Sequence, residues 1–108
     1  MPQEVRSLSE WVRAGTPDLL SVVIPAHNEE GHIGETVRLF SSALRNAGLK
    51  HEIIVVNDNS TDGTERVLRE VGREVAELRI INNLPPNGFG FAIRRGLADF
   101  KGDCVAVV

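Results

Sequence analysis

Apolar residues in this chain follow two rhythms, short continuous runs and stripes that recur every three or four positions. The runs are residues 19–24 (Leu-Leu-Ser-Val-Val-Ile), 53–56 (Ile-Ile-Val-Val), 78–81 (Leu-Arg-Ile-Ile) and 104–108 (Cys-Val-Ala-Val-Val). Runs rich in β-branched residues predict strands buried on both faces, as in a parallel sheet. The stripes predict helices. Ile33, Val37, Phe40, Leu44 and Ala47 recur at steps of four, three, four and three. Val67, Leu68, Val71 and Val75 form a second stripe. Ala92, Ile93, Leu97 and Phe100 form a third, on a helix expected over residues 90–100. The order is therefore β-α-β-α-β-α-β, an α/β chain whose short connections imply a parallel sheet, right-handed crossovers and helices on its faces.

Polar residues punctuate this pattern. Pro25, which donates no ladder hydrogen bond, is expected to end the first strand. Asn28 is the expected N-cap of the first helix, with Glu29 and Glu30 in a first turn whose dipole favours anions. Gly48 stops that helix. Asp62, with Glu65 three residues on, has the spacing of a capping box at the second helix. Residues 101–103 (Lys-Gly-Asp) read as a turn. Residues 1–18 form an N-terminal arm. Within it Ser7 as N-cap, Glu10 at the third helical position and Gly15 as stop suggest a short helix. Trp11 would pack this arm onto the main unit, residues 19–108, and Thr16-Pro17-Asp18 reads as a linker.

Size and charge narrow the function. The 108 residues, 42% hydrophobic and 25% charged, suit one globular unit. A net charge of −3 argues against a nucleic-acid surface, which would show a basic stripe. The one cysteine, Cys104, cannot close an internal disulfide and lies in an apolar run, which reads as a buried inert thiol compatible with a reducing, cytoplasmic compartment. No secretory signal and no membrane-spanning run is visible. An apolar final strand with nothing after it reads as a domain cut short. Its edge, left open, would pair with a second copy of the chain.

Several motif matches fail on their own chemistry. Asp58-x-Ser60-x-Asp62-Gly63 has the start of a calcium loop, but Arg69 holds the twelfth position, where glutamate is needed. Gly88-x-Gly90 begins a dinucleotide fingerprint, but Ile93 occupies its third glycine position. No phosphate-loop sequence of the Walker type is present. Asn59-Ser60-Thr61 matches a glycosylation sequon that no secretory signal supports. His27, His32 and His51 lack metal-ligand spacing.

What remains is a set of three polar loops after three strands, which a doubly wound sheet places on one rim. The first carries His27, Asn28 and Glu29. The second carries Asp58 and Asn59. The third carries Asn87 and Gly88 and leads to Arg94 and Arg95. A carboxylate such as Asp58 accepts hydrogen bonds from a base N–H or ribose hydroxyls. Glycines let backbone approach a phosphate, and arginine supplies charge. Together these groups suit a phosphate-bearing nucleotide. The plainer readings are structural: Asp62 as helix cap, Glu29 as partner of a helix terminus, Gly88 and Gly90 as turn residues, and Glu30, Glu35, Arg66 and Arg69 as a solvated helical face. A receiver-like module, with an acidic rim binding a cation or protein partner, is the alternative from another class. The end of its third strand, Ile81-Asn82-Asn83, lacks the aspartate such a module needs.

The loops also carry a resemblance. Val23-Ile24-Pro25-Ala26-His27-Asn28-Glu29 is similar to the V-x-x-P-x-x-N-E opening of family 2 glycosyltransferases. Residues 55–64 (Val-Val-Asn-Asp-Asn-Ser-Thr-Asp-Gly-Thr) resemble that family's V-D-D-G-S-T-D-G-T signature. Asn87-Gly88-Phe89-Gly90-Phe91-Ala92, with Gly96 beyond, resembles its N-x-G-x-x-x-A-x-x-x-G segment, and Gly90 looks most like the dolichol- and polyprenol-phosphate branch. The resemblance implies a GT-A fold, whose Rossmann-like half binds a UDP- or GDP-linked sugar. It implies that Pro25, Ala26 and Glu29 line the base and ribose pocket, that Asp58 contacts the base, and that Gly88 and Arg94 serve the donor, although many relatives carry asparagine at the Arg94 position. It also implies a lipid-phosphate acceptor, a membrane-peripheral location on the cytoplasmic face, and a divalent metal, magnesium or manganese, held by a D-x-D-type motif that follows the fourth strand. That motif and the catalytic base fall beyond Val108, so no complete metal site and no transferase activity is expected of these residues alone. Asn57 and Asn59 depart from the signature, standing where relatives carry aspartate and glycine.

Overall fold

The computed structural model describes Glu4, Val5, residues 18–83, Pro85 and residues 87–108. The expected helix within residues 7–15, its caps and Trp11 lie outside these residues, as does the Cys104 side chain. Eight elements follow in order: β1 (Glu4–Val5), β2 (Leu20–Ala26), α1 (Ile33–Asn46), β3 (His51–Asn57), α2 (Thr64–Glu74), β4 (Leu78–Asn82), α3 (Phe89–Leu97) and β5 (Cys104–Val107). The strands make one parallel sheet in the order β1-β5-β2-β3-β4. The expected α/β fold class, with its alternation of strands and helices, is borne out.

The apolar runs are continuous because both faces of the central strands are covered. Leu20, Val22, Ile24, Ile53 and Val55 pack under α1 and α2 with Ile33, Val37, Leu44, Leu68 and Val71. The alternate residues Val23, Ile54, Val56 and Val105 pack on the opposite face with Ala92 of α3. Leu97 and Phe100 join that second core, as their spacing predicts, although the helix itself ends at Leu97. Ala47, placed in the first stripe by its spacing, is exposed at the helix C-cap. Gly48 terminates that helix with φ +73°, a left-handed conformation that suits glycine.

Three expectations are corrected. Pro25 lies inside β2, which runs on to Ala26. The Leu20 N–H bonds toward β3, at the Lys50 carbonyl. By alternation, odd-numbered positions of β2 face β5. An N–H at position 25 would point to the β5 side, so the proline leaves the β2–β3 ladder whole as far as Ala26. Second, α1 starts at Ile33, with His32 as N-cap, so Asn28 caps nothing and Glu29 and Glu30 sit in the preceding loop. Third, β5 is not a free edge: Glu4 and Val5 pair with Cys104 and Val105. The open edge from which self-association was expected is covered at those two positions.

This topology sets the site. The chain moves outward from β2 to β3 and β4 with α1 and α2 on one face. It then crosses the other face through α3 and returns on the far side of β2. The sheet order thus reverses at β2, and a crevice opens at the carboxyl ends of the strands where such a reversal occurs.

Candidate nucleotide-sugar site

Two rim loops, residues 27–32 after β2 and 58–63 after β3, are stitched to each other. The Asn28 N–H donates to Ser60 Oγ at 3.0 Å, and Asn28 Oδ1 accepts from the Thr61 N–H at 2.8 Å. The Glu29 N–H donates to Thr64 Oγ1 at 2.9 Å, and the Glu30 N–H to Asp62 Oδ2 at 3.3 Å. Both turning residues are asparagines at positive φ, Asn28 at 51° and Asn59 at 54°. Asparagine tolerates this region where other side chains clash. That accounts for Asn59 standing where relatives carry glycine.

Asp62 does act at the start of α2, but from one position outside the N-cap. Its Oδ1 accepts the Thr64 N–H at 2.9 Å and also the Thr64 hydroxyl, while Gly63 is the N-cap residue. The hydrogen bond from the Thr64 hydroxyl is the main reason the Asp62 carboxyl lies below its ordinary range. Thr64 is fully buried, so one side chain joins the Asp62 cap to the backbone of Glu29.

Asp58 closes the base of the site. Its N–H donates to the Ala26 carbonyl at 2.7 Å, extending the β2–β3 ladder by one bond. Its side chain turns to the third loop. Oδ1 accepts from Asn83 Nδ2 at 2.8 Å and Asn87 Nδ2 at 3.2 Å, and Oδ2 accepts the Gly88 N–H at 2.9 Å. Asp58 is buried, 7% exposed. Burial pushes its carboxyl up, but the three hydrogen bonds and the nearby His27 outweigh that and hold it below the ordinary aspartate range. His27 Nδ1 lies 2.7 Å from the Asp58 carbonyl oxygen. A carbonyl only accepts, so this contact fixes an Nδ1–H; in the neutral ring Nε2 then faces Asn28 Nδ2 as acceptor, at 3.4 Å.

The sequence candidates divide in three. Asp58 and Gly88 are directly bonded, and Gly88 takes φ +127°, where a side chain would be strained. Glu29 stands at the stitched loop with an exposed side chain, and Pro25 is half-buried at the end of β2. Ala26 is 2% exposed, with its methyl in the core and its carbonyl engaged by Asp58. Arg94 lies away from this network, exposed on α3, its guanidinium 5.7 Å from the Phe91 ring centroid. Sequence reasoning assigned no role to Asn83, which is buried and central here. Its only signal was its position one residue past β4, level with Asp58 one residue past β3.

The Asn57 departure is absorbed locally. Its side chain spans β3 and β4 through Asn82 Oδ1 at 3.2 Å and accepts the Ser60 hydroxyl at 2.5 Å. Among the described residues there is no cluster of three or more histidine, cysteine, aspartate or glutamate side chains able to hold a metal ion. The described residues therefore do not make a complete site for the divalent metal that the resemblance implies.

Comparison with known proteins decides the family. Residues 21–108 match the profile of glycosyl transferase family 2. The chain belongs to that family. It is 36% identical over 107 residues to the probable glycosyltransferase YdaM of Bacillus subtilis, covering 94% of this chain and 25% of that protein. It is 32% identical over 89 residues to the dolichol-phosphate mannosyltransferase of Pyrococcus furiosus, covering 82% of this chain and 24% of that protein. The crystal structure of glucosyl-3-phosphoglycerate synthase from Mycobacterium tuberculosis, in complex with Mn2+, UDP and phosphoglyceric acid, aligns with TM-score 0.68 and 30% identity, covering 99% of this chain and 40% of that one. The chain thus spans about a quarter of the curated relatives it matches. Its structural neighbours are GT-A glycosyltransferases, which bears out the expected fold. The receiver-like alternative finds no support.

Proposed function

We propose that this chain is the nucleotide-sugar-binding part of a glycosyltransferase, and that the whole enzyme moves a sugar from a UDP- or GDP-linked donor to an acceptor. The observation that carries the reading is the Asp58 network, a buried carboxylate held by neutral donors at the carboxyl end of the central strands. Asp58 takes the N–H of the base. Glu29, with Pro25 beside it, takes the ribose hydroxyls. Gly88 leaves room at the start of α3 for backbone to approach the diphosphate, and Arg94 supplies positive charge there by swinging away from Phe91. Ala26 contributes by fixing Asp58 through its carbonyl. The metal and the general base that such a displacement uses are supplied by residues other than those described.

The acceptor we propose is a polyprenyl phosphate, on the likeness to the dolichol-phosphate enzyme. On the same likeness, we place the meeting with such an acceptor at the cytoplasmic face of a membrane; among the described residues no helix is long and apolar enough to cross one. No nucleic acid partner is proposed.

Calorimetric titration with UDP, GDP and ADP tests the donor assignment. Saturable binding of UDP or GDP is expected, with ADP weaker and Asp58→Ala reducing affinity by about tenfold or more. Binding of all three with equal affinity, unchanged in Asp58→Ala, would overturn it. Loss of signal in a folded chain would be checked on a longer chain that continues past Val108 with Mn2+ present; no binding there would also overturn it.

A further inference from the structure

The donors around Asp58 are all uncharged. Two are side-chain amides, Asn83 and Asn87, and the third is the Gly88 N–H. The two asparagines are themselves joined, Asn87 Nδ2 donating to the Asn83 carbonyl at 3.1 Å. Asn83 is tied back to β3 by its own N–H, which donates to the Asn57 carbonyl at 2.9 Å. The result is a closed ring of hydrogen bonds running from the end of β3, through the loop after β4, to the N-cap of α3. Cation pairing would neutralise a carboxylate; neutral amides leave its charge intact while fixing its direction. A carboxylate has about four acceptor positions. Three are filled, two on Oδ1 and one on Oδ2, so the open position is on Oδ2, beside Gly88. A fixed negative acceptor of this kind repels phosphate and selects an N–H donor.

We propose that Asn83 and Asn87 are positioning residues for donor recognition, holding the Asp58 carboxylate so that one Oδ2 position stays available to an imide-type N–H of the base. The inference rests on the donor-binding reading given above. It assigns a task to two asparagines that contact no donor themselves. It also explains why the loop after β4 carries asparagine at both 83 and 87, since each supplies one amide to the same oxygen.

The test uses the 108-residue chain in wild-type form and as Asn83→Ala, Asn87→Ala and Asn83→Ser, the last keeping a hydroxyl donor. Asn87 is exposed, so its variant is expected to fold even if Asn83→Ala does not. Two quantities are read for each: the titration midpoint of the Asp58 side-chain carboxyl by carbon NMR, and UDP affinity between pH 3 and 8. The alanine variants should raise the Asp58 midpoint by about one unit. They should weaken UDP binding severalfold at pH 7, and the acid limb of binding should move up with the midpoint. Asn83→Ser should recover part of both. His27 is the titratable group facing Asp58; it is common to all variants and cancels in the variant-to-wild-type ratio.

An unmoved midpoint would overturn the inference. So would a raised midpoint with UDP affinity unchanged at every pH. In that case Asp58→Ala separates the causes: if it still abolishes binding, only the positioning role has failed, and if it binds normally, the donor reading has failed with it. A wild-type chain that binds no UDP while its Asp58 midpoint responds as expected would also sink the inference, through the donor reading.

Discussion

At the scale of single residues, the third motif separates into positions that geometry demands and one that it does not. Gly88 sits at positive φ, and Ala92 is fully buried against the sheet. At Gly96 an added Cβ would lie 2.4 Å from Val23 Cγ1 and 3.2 Å from Val56 Cγ2. Positions 92 and 96 fall on one face of α3, the face laid on β2 and β3, so their small size sets how close that helix comes. At Gly90 an added Cβ would meet nothing within 4 Å. Gly96→Ala is therefore expected to destabilise by about 1–3 kcal/mol through overpacking. Gly90→Ala should be neutral or stabilise by up to about 1 kcal/mol, since alanine favours the helix. Thermal or urea unfolding of the two variants would check this, and equal loss in both would contradict the packing argument. The sequence showed the glycines but not which of them were crowded, because crowding depends on valines some 40–70 positions away.

At the scale of elements, the strands were readable and the caps were not. Continuous β-branched runs have one physical use, a strand covered on both faces, so β2 to β5 followed directly from composition. β1 was missed because two residues carry no periodicity. Asn28 misled because asparagine serves equally as an N-cap and as a left-handed turn residue; only the partner, the Thr61 N–H of another loop, distinguishes the two. The acidic signature after β3 was legible as a site, yet most of its residues act as fasteners. Ser60, Thr61, Asp62 and Thr64 all bond residues of the loop after β2. Thr64→Val keeps the shape and removes the acceptor for the Glu29 N–H. It should cost about 1–3 kcal/mol and weaken donor binding as the loop carrying Glu29 loosens. Hydrogen exchange at the Glu29 amide would show this, and protection equal to wild type would count against the fastening role.

Across the whole molecule, the rim opposite the site holds its own polar network. Glu52 is buried and accepts from Ser21 Oγ, from the Lys101 N–H at 2.6 Å and from Arg79 at 2.6 Å. Arg79 also bonds the Asp99 carboxylate at 2.7 Å, and the Gly102 N–H donates to Ser21 Oγ. These bonds pin the turn between α3 and β5 to the amino ends of β2, β3 and β4. Burial pushes the Glu52 carboxyl up, but the Ser21, Lys101 and Arg79 interactions outweigh it and set it below the ordinary glutamate range. A carboxyl lowered by folding stabilises above its unfolded value, and that contribution is lost as pH falls through the folded value. Asp58 and Asp103 are lowered too, so stability should decline below about pH 4.5. Glu52→Gln should flatten part of that decline in acid unfolding curves; an unchanged slope would contradict this role. The central claim, that the rim after β2, β3 and β4 is a nucleotide-sugar site, is tested most directly by amide NMR shifts during a UDP and GDP titration. Saturable shifts at Glu29, Asp58 and Gly88, absent in Asp58→Ala, are the predicted result. Shifts centred instead on the α2 face or on the Glu52 end of the sheet would contradict it.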